Sequence, residues 1–460
     1  MNSSAPASAA PGRSADAFRT APDETLTGMP PGIPFIIGNE AAERFSFYGM
    51  RTILIVFMTQ FLMSRAGQRD VMADVDARIV YHNFLSAVYA FPLLGAVIAD
   101  WFLGKYRTVL ILSIVYCFGH LALALDDTRL GLYLGLALIA LGAGGIKPCV
   151  TAMVGDQFGR GNRSLMAAVF NWFYFAINFG AFFSALLTPW LLDRFGTAVA
   201  FGLPGVLMLL STIVFVAGRK KFVRIPPAGN SLLREVFSRE GASVLLPLVG
   251  LYVFVTMFFA LYDQSGGDWV LQAGRLDLNF FGWTLLASQV QAVNALLILV
   301  FIPLFTYVVY PAVNRLVALT PLRKIGTGLF LTSVSFCIPA WIEMRLSAGT
   351  TVGVGWQILA YAILTAGEVM VYGTGLEFAY TQAPNKMKSI VMSLFLFAIS
   401  MGNLVVSLVN WLIRNPDGSA KLSGANYYLF FVGLMVITTI IYVFYAMRFK
   451  ERSFLQDKPA

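Results

Sequence analysis

Apolar runs of about 20 residues recur along this chain, separated by short polar segments. Each run can cross a hydrocarbon layer of about 30 Å as a helix. The pattern predicts twelve spans, at roughly 33–63, 79–103, 107–126, 130–155, 165–192, 197–218, 243–272, 280–310, 324–346, 353–380, 388–413 and 425–448. The predicted fold class is an all-α membrane protein. A charged linker, 219–242, divides it into six-helix bundles at 33–218 and 243–448, with a cytoplasmic tail at 449–460. Residues 1–32 are rich in Ser, Ala and Pro and lack an apolar h-region, so they are expected to be a disordered tail rather than a signal peptide.

Composition excludes a soluble globule: 58% of residues are hydrophobic and 12% charged, against about a quarter charged in soluble proteins. Of 33 Lys and Arg, fifteen fall in one set of alternate loops and nine in the opposite set. The positive-inside rule then makes both termini cytoplasmic, and the expected location is the plasma (inner) membrane. The net charge of +9 reflects topology, and no nucleic-acid partner is expected. Cys117, Cys149 and Cys337 are isolated, without metal or disulfide spacing. No HExxH, GxSxG or Walker A segment occurs, so an enzyme is not expected. The run Gly142-Ala143-Gly144-Gly145 is expected to allow close helix packing and a break around Lys147.

The informative residues are ionisable groups inside spans, each costing at least ~2.5–3.5 kcal/mol at the bilayer centre. Span one carries Glu40, Glu43, Arg44 and Arg51. At about 100° per residue they lie within roughly 100° of one helix face, which must point into the protein. Lys147, Asp263 and Glu368 add charge from both halves, with Asn178 and Asn294 as polar companions. A zwitterion held between the halves needs such an arrangement. His82, with Tyr89 at i+7, shares the bundle with buried carboxylates and is a candidate proton site. His120 has no such company and reads as structural. A weak repeat links the loop after span two with that after span eight, and related halves place a site near the midplane.

Several segments resemble the proton-coupled oligopeptide transporters of the major facilitator superfamily. They are Glu40-Ala41-Ala42-Glu43-Arg44-Phe45-Ser46-Phe47-Tyr48, Gly144-Gly145-Ile146-Lys147-Pro148, Phe173-Tyr174-Phe175-Ala176-Ile177-Asn178, Ala260-Leu261-Tyr262-Asp263-Gln264 and Gly367-Glu368. The loop Ala99 to Thr108 also matches that superfamily's cytoplasmic-loop motif, with Asp100 as a latch. The resemblance implies a twelve-helix fold of that superfamily. Arg44 and Lys147 would hold a peptide carboxylate, and Asn178, Asn294 and Glu368 its amino terminus. Glu40, Glu43, His82 and Asp263 would respond to protons, with Arg51 as ion-pair partner of the span-one acids or the substrate. Tyr48, Tyr89, Tyr174, Phe259 and Phe395 would wall the pocket. Tyr81-His82 matches the segment in which animal members carry an essential proton-handling His. Departures from the family pattern are Phe47 for a Tyr, and Phe259 and Phe395 for Trp.

The resemblance implies import of di- and tripeptides by alternating access, with no cofactor. The expected partners are short peptides, protons and membrane lipid, and the expected functional unit is a monomer. A 100 mV potential acting on one proton is worth ~2.3 kcal/mol, about a 50-fold concentration ratio. The alternatives are a drug or anion carrier on the same scaffold and a membrane sensor that binds peptide without moving it.

Overall fold

The computed structural model describes residues 18–227, 239–382 and 388–449. Residues 1–17, the middle of the expected linker and most of the C-terminal tail lie outside the described residues, as does the side chain of Asp100. The chain is helical almost throughout. The first half contains α1 (Ile33–Val56), α2 (Asp74–Ile98), α3 (Lys105–Leu125), α4 (Arg129–Asp156) and α5 (Met166–Ala217). The second contains α6 (Arg239–Tyr262), α7 (Asp268–Ala273), α8 (Ala292–Leu304), α9 (Tyr310–Asn314), α10 (Pro321–Ser347), α11 (Gly355–Glu368), α12 (Thr374–Thr381), α13 (Lys388–Ile413) and α14 (Ala425–Arg448).

Ten helical stretches among the described residues are long and apolar enough to cross a membrane. The 52 residues of α5 are broken at Gly196, where φ is 80° and ψ −175°. A side chain would be strained in that conformation, so the chain turns there between the expected fifth and sixth spans. Each half has its own apolar core, one running from Ile33 to Phe222 and the other from Leu248 to Tyr442. The two cores meet chiefly where α2 packs on α13 and α5 on α8. These features give two helical bundles packed against each other. The turns at 62–73 and 414–424 lie at the distal end of the bundle, away from residues 18–32 and Phe449.

Three local expectations differ from the structure. The segment at 280 is not yet helix: β1 (Asn279–Phe280) pairs antiparallel with β2 (Trp283–Thr284), and helix resumes at Ala287. Continuous α4 runs through Lys147 with Pro148 inside it, without the expected break. Residues 18–32, part of the expected disordered tail, are packed. The Arg224 amide donates to the Arg19 carbonyl at 2.8 Å, and the Arg160 amide to the Glu24 carboxylate at 2.7 Å. The Arg224 guanidinium is stacked between Phe18 at 3.6 Å and Tyr106 at 3.5 Å.

The glycine run does permit close packing. A Cβ on Gly95 of α2 would lie 2.5 Å from the Gly145 Cα of α4. Backbone cannot yield there, so Gly95→Val must push α2 off α4. Overpacking of this kind costs about 1–3 kcal/mol or more. Thermal unfolding of the purified variant in detergent is expected to show a clearly lowered Tm.

Candidate functional site

The charged stripe of α1 faces inward: Glu40 and Glu43 are each 1% exposed, Arg44 7% and Arg51 9%. One turn separates Glu40 from Arg44, and the Arg44 Nε donates to Glu40 Oε1 at 2.6 Å. Glu43 lies 3.2 Å from the same nitrogen. Its oxygens accept no hydrogen bond among the described residues. Glu40 and Glu43 thus differ: one is held by a short charge-assisted bond, while the other relies on proximity to a cation alone.

Lys147 projects from α4 into a cage of rings. Its Nζ lies 4.4 Å from the Phe47 ring centre and 4.5 Å from that of Tyr89. It makes no ion pair among the described residues. In the other half, Glu368 ends α11. Its carboxylate accepts from the Tyr262 hydroxyl at 3.0 Å and from Asn294 Nδ2 at 2.8 Å, and Asn294 also donates to Thr365 at 2.9 Å. Glu368 likewise has neutral donors but no cationic partner among the described residues. A wide π-helical turn, Val369–Gly373, follows it at once. Such turns recur at functional sites because they re-aim side chains.

Tyrosines connect these two poles. Tyr48 lies in the field of Arg44 and Arg51 on its own helix and of Glu368 from the other half. Tyr372 and Tyr174 lie within electrostatic reach of Glu368 and Tyr48, and Tyr372 also of Arg44. Phe259 and Phe395 sit a layer behind. They are 4% and 0% exposed and pack on the Tyr372 ring at 6.0 and 5.6 Å. Asn178 does not join Asn294 by a hydrogen bond; its side-chain amide donates to the Tyr174 carbonyl of its own helix at 2.9 Å.

Arg51 is not paired with the acids of α1. Its Nη2 donates to Asp263 Oδ1 at 2.6 Å, across the halves, and its Nε to the Tyr81 hydroxyl at 2.9 Å. Asp263 Oδ2 accepts from Asn403 Nδ2 at 2.6 Å, and Asn403 Oδ1 lies 2.8 Å from His82 Nδ1. His82 Nε2 is 3.7 Å from Asp268 Oδ2, and Asp268 Oδ1 is 2.5 Å from Arg78 Nε. The Arg78 guanidinium lies over Tyr427 at 4.7 Å. A further pair, Arg414 with Asp76, spans the halves at 2.7 Å nearby. This chain of polar contacts joins the halves at the distal end.

Arg78, Asp268, Asn403, Tyr262 and Tyr372 were not among the residues picked out by sequence. Asp268 had the same signal as Asp263, a charge inside an apolar run. A second span starting at 79 leaves Arg78 in a loop. The helix begins at Asp74, and Asp74 and Asp76 are the acidic first turn that marks such a start. Asn403 is one polar residue in an apolar helix and could not be singled out without its neighbours.

His120 is buried and stacked on Tyr116 with ring centres 5.1 Å apart. Neither of its ring nitrogens finds a hydrogen-bond partner among the described residues. It lies outside the polar chain described above.

Comparison with known proteins places this arrangement. The POT family profile, PTR2, matches residues 106–240 and 238–428. Peptide transporter family 1 of Drosophila melanogaster is 40% identical over 364 residues, 69% of this chain and 48% of that protein. Solute carrier family 15 member 2 of Homo sapiens is 36% identical over 380 residues, 71% of this chain and 51% of that protein. The chain thus spans about half the length of the curated relatives it matches. An auto-inhibited POT family peptide transporter superposes with a TM-score of 0.86 at 35% identity, covering 94% of this chain and 99% of that one. The POT family transporter PepTSo does so with a TM-score of 0.84 at 36% identity, covering 91% and 98%. By profile, by sequence and by superposition over nearly its whole length, this membrane protein belongs to the POT family.

Proposed function

We propose that this chain is a proton-coupled symporter that imports di- and tripeptides by alternating access. One observation carries the reading. Lys147 in one half and Glu368 in the other are charges of opposite sign that lack ion-pair partners among the described residues. A half-buried charge without a salt bridge inside a membrane span is costly, so each is best explained by a counter-charge that arrives with the ligand. A short peptide brings both, its carboxylate for Lys147 and Arg44 and its ammonium group for Glu368 and Asn294. The tyrosines between them would wall the pocket, with Asn178 behind Tyr174.

The distal end corresponds to the extracellular side in this reading, with both termini in the cytoplasm and the protein in the plasma (inner) membrane. The contacts that join the halves would then close the outer face. Protons reach the buried carboxylates Glu40, Glu43 and Asp263 and the imidazole of His82. The driving force is the proton gradient alone, without a cofactor, and the unit is a monomer surrounded by lipid.

The test is uptake of dialanine into proteoliposomes, with and without an inward proton gradient. Accumulation above the external concentration is expected only with the gradient. Uptake that ignores the gradient would remove the coupling. Binding without exchange would leave a peptide sensor in its place.

A further inference from the structure

Arg78 and His82 stand one turn apart on α2 and face Asp268, which opens α7 in the other half. His82 and Asp268 are each 0% exposed. The Asn403 amide decides how His82 must be protonated. Its Nδ2 donates to Asp263 Oδ2 at 2.6 Å and to the Ile399 carbonyl at 3.1 Å. Turning the amide over would press its oxygen against the Asp263 carboxylate. Its Oδ1 therefore faces His82, and His82 Nδ1 must carry the hydrogen that spans the 2.8 Å gap. In neutral His82 the Nε2 lone pair is then bare, and it points at Asp268 Oδ2 across 3.7 Å. Two acceptors face each other in a site without access to solvent. A single proton on Nε2 turns that repulsion into an imidazolium–carboxylate contact.

We propose that Asp268 is a proton-coupling carboxylate of this chain: it holds the transported proton with His82 Nε2 while the outer face is closed, and Arg78 is its fixed counter-ion. The inference rests on the reading of the chain as a proton symporter and adds two residues to it. The remaining groups around the pair do not compete for the proton at Nε2. Arg78 keeps its charge throughout. Tyr427 and Tyr428 of α14 are neutral phenols at ordinary pH, and the Tyr428 hydroxyl donates to the Asp268 carbonyl at 3.3 Å. Asp263 is already occupied by Arg51 and Asn403. Asp74 acts on Arg78 from the same helix. Histidine is the side chain whose charge ordinarily changes near neutrality.

A proton taken from outside binds the Nε2 lone pair and draws Asp268 onto α2, which closes the outer face over the load. Loss of that proton from the same nitrogen restores the repulsion of the two acceptors and favours reopening outward. Only an N–H bond forms and breaks.

Spin labels at Gln68→Cys and Lys421→Cys, both exposed on the distal turns of opposite halves, report opening in a background without the three native cysteines. The distance distribution is measured by electron double resonance at pH 5.5 and 8, without peptide. The wild type is expected to shift toward the short, closed distance on acidification. Asp268→Asn is expected to give one distribution at both values, because its amide can donate to bare Nε2 without a proton. Asp268→Glu is expected to keep the pH response. In proteoliposomes Asp268→Asn should lose the gradient-driven ratio, about 50-fold at 100 mV, yet retain peptide exchange. A pH shift in Asp268→Asn equal to that of the wild type overturns the proposal, as does a wild type that does not respond to pH. Because the label experiment contains no peptide, failure of dialanine uptake alone would overturn the substrate reading and leave this one standing.

Discussion

Acetylating the amino group of a dipeptide is expected to cut its affinity severely in the wild type and far less in Glu368→Gln. Glu368 is held by Tyr262 at 3.0 Å and Asn294 at 2.8 Å, so its position is fixed before any ligand arrives. What it lacks among the described residues is a cation, and a peptide ammonium group would supply one. Removing that group leaves a carboxylate facing a neutral amide in a water-poor site. Breaking a buried pair from one side commonly costs about 3–5 kcal/mol. The glutamine variant has no charge left to strand, so the second loss is small. Competition binding of dialanine and N-acetyl-dialanine to both proteins closes the cycle. Coupling above ~1 kcal/mol assigns the amino terminus to Glu368. Additive losses would reverse or abolish the proposed orientation of the peptide.

Glu43→Gln is expected to abolish proton-driven accumulation and to spare exchange of peptide for peptide. Of the two acids beside Arg44, Glu40 receives the short bond at 2.6 Å, and the oxygens of Glu43 receive none among the described residues. A carboxylate without donors has little to lose on protonation, since the neutral acid forfeits no hydrogen bond, only its attraction to Lys147 and to Arg44, which is already shared with Glu40. Glutamine has nearly the same shape and fixes the neutral state. The variant should cross the membrane loaded in both directions but forfeit the gradient, worth about a 50-fold concentration ratio at 100 mV. Proteoliposomes separate the two activities: counterflow with peptide on both sides, and net uptake under an imposed gradient. Net accumulation by Glu43→Gln equal to that of the wild type would take Glu43 out of the coupling.

The fold was legible because a bilayer leaves few solutions: apolar runs must become helices, and a stripe of four charges on one of them must turn inward. Glu40, Glu43, Arg44 and Arg51 could be set on one face by arithmetic, and they lie there. Partnerships across the halves were not legible. Arg51 belongs with Asp263, which is 212 residues away in sequence. No periodicity within either helix encodes that meeting. Phe259 and Phe395 illustrate a second limit. Sequence position put them near the pocket, but only packing shows that Tyr372 stands in front of them. The error at Arg78 was smaller and avoidable, since the aspartates of the first turn announced the true helix start. For residues 18–32, composition suggested a free tail. Arg224, stacked on Phe18, and the carbonyls of Arg19 and Gly28 instead bind them to the bundle.

The polar chain at the distal end has a sense of direction. Arg51, Arg78 and His82 come from the first half, and Asp263 and Asp268 from the second. Were the halves to part there, these side chains would form two walls of an entrance, positive at Arg51 and Arg78 and negative at Asp263 and Asp268, while the pair Arg414–Asp76 runs the other way. The field between such walls exerts a torque on any molecule with separated charges. A zwitterion entering from solution is turned so that its anionic end follows the first half and its cationic end the second. That is the orientation in which Lys147 and Glu368 would receive it. The lock therefore doubles, when open, as a compass needle's magnet: capture should be fast at low ionic strength and slow as salt screens the walls, while the depth of the final site changes far less.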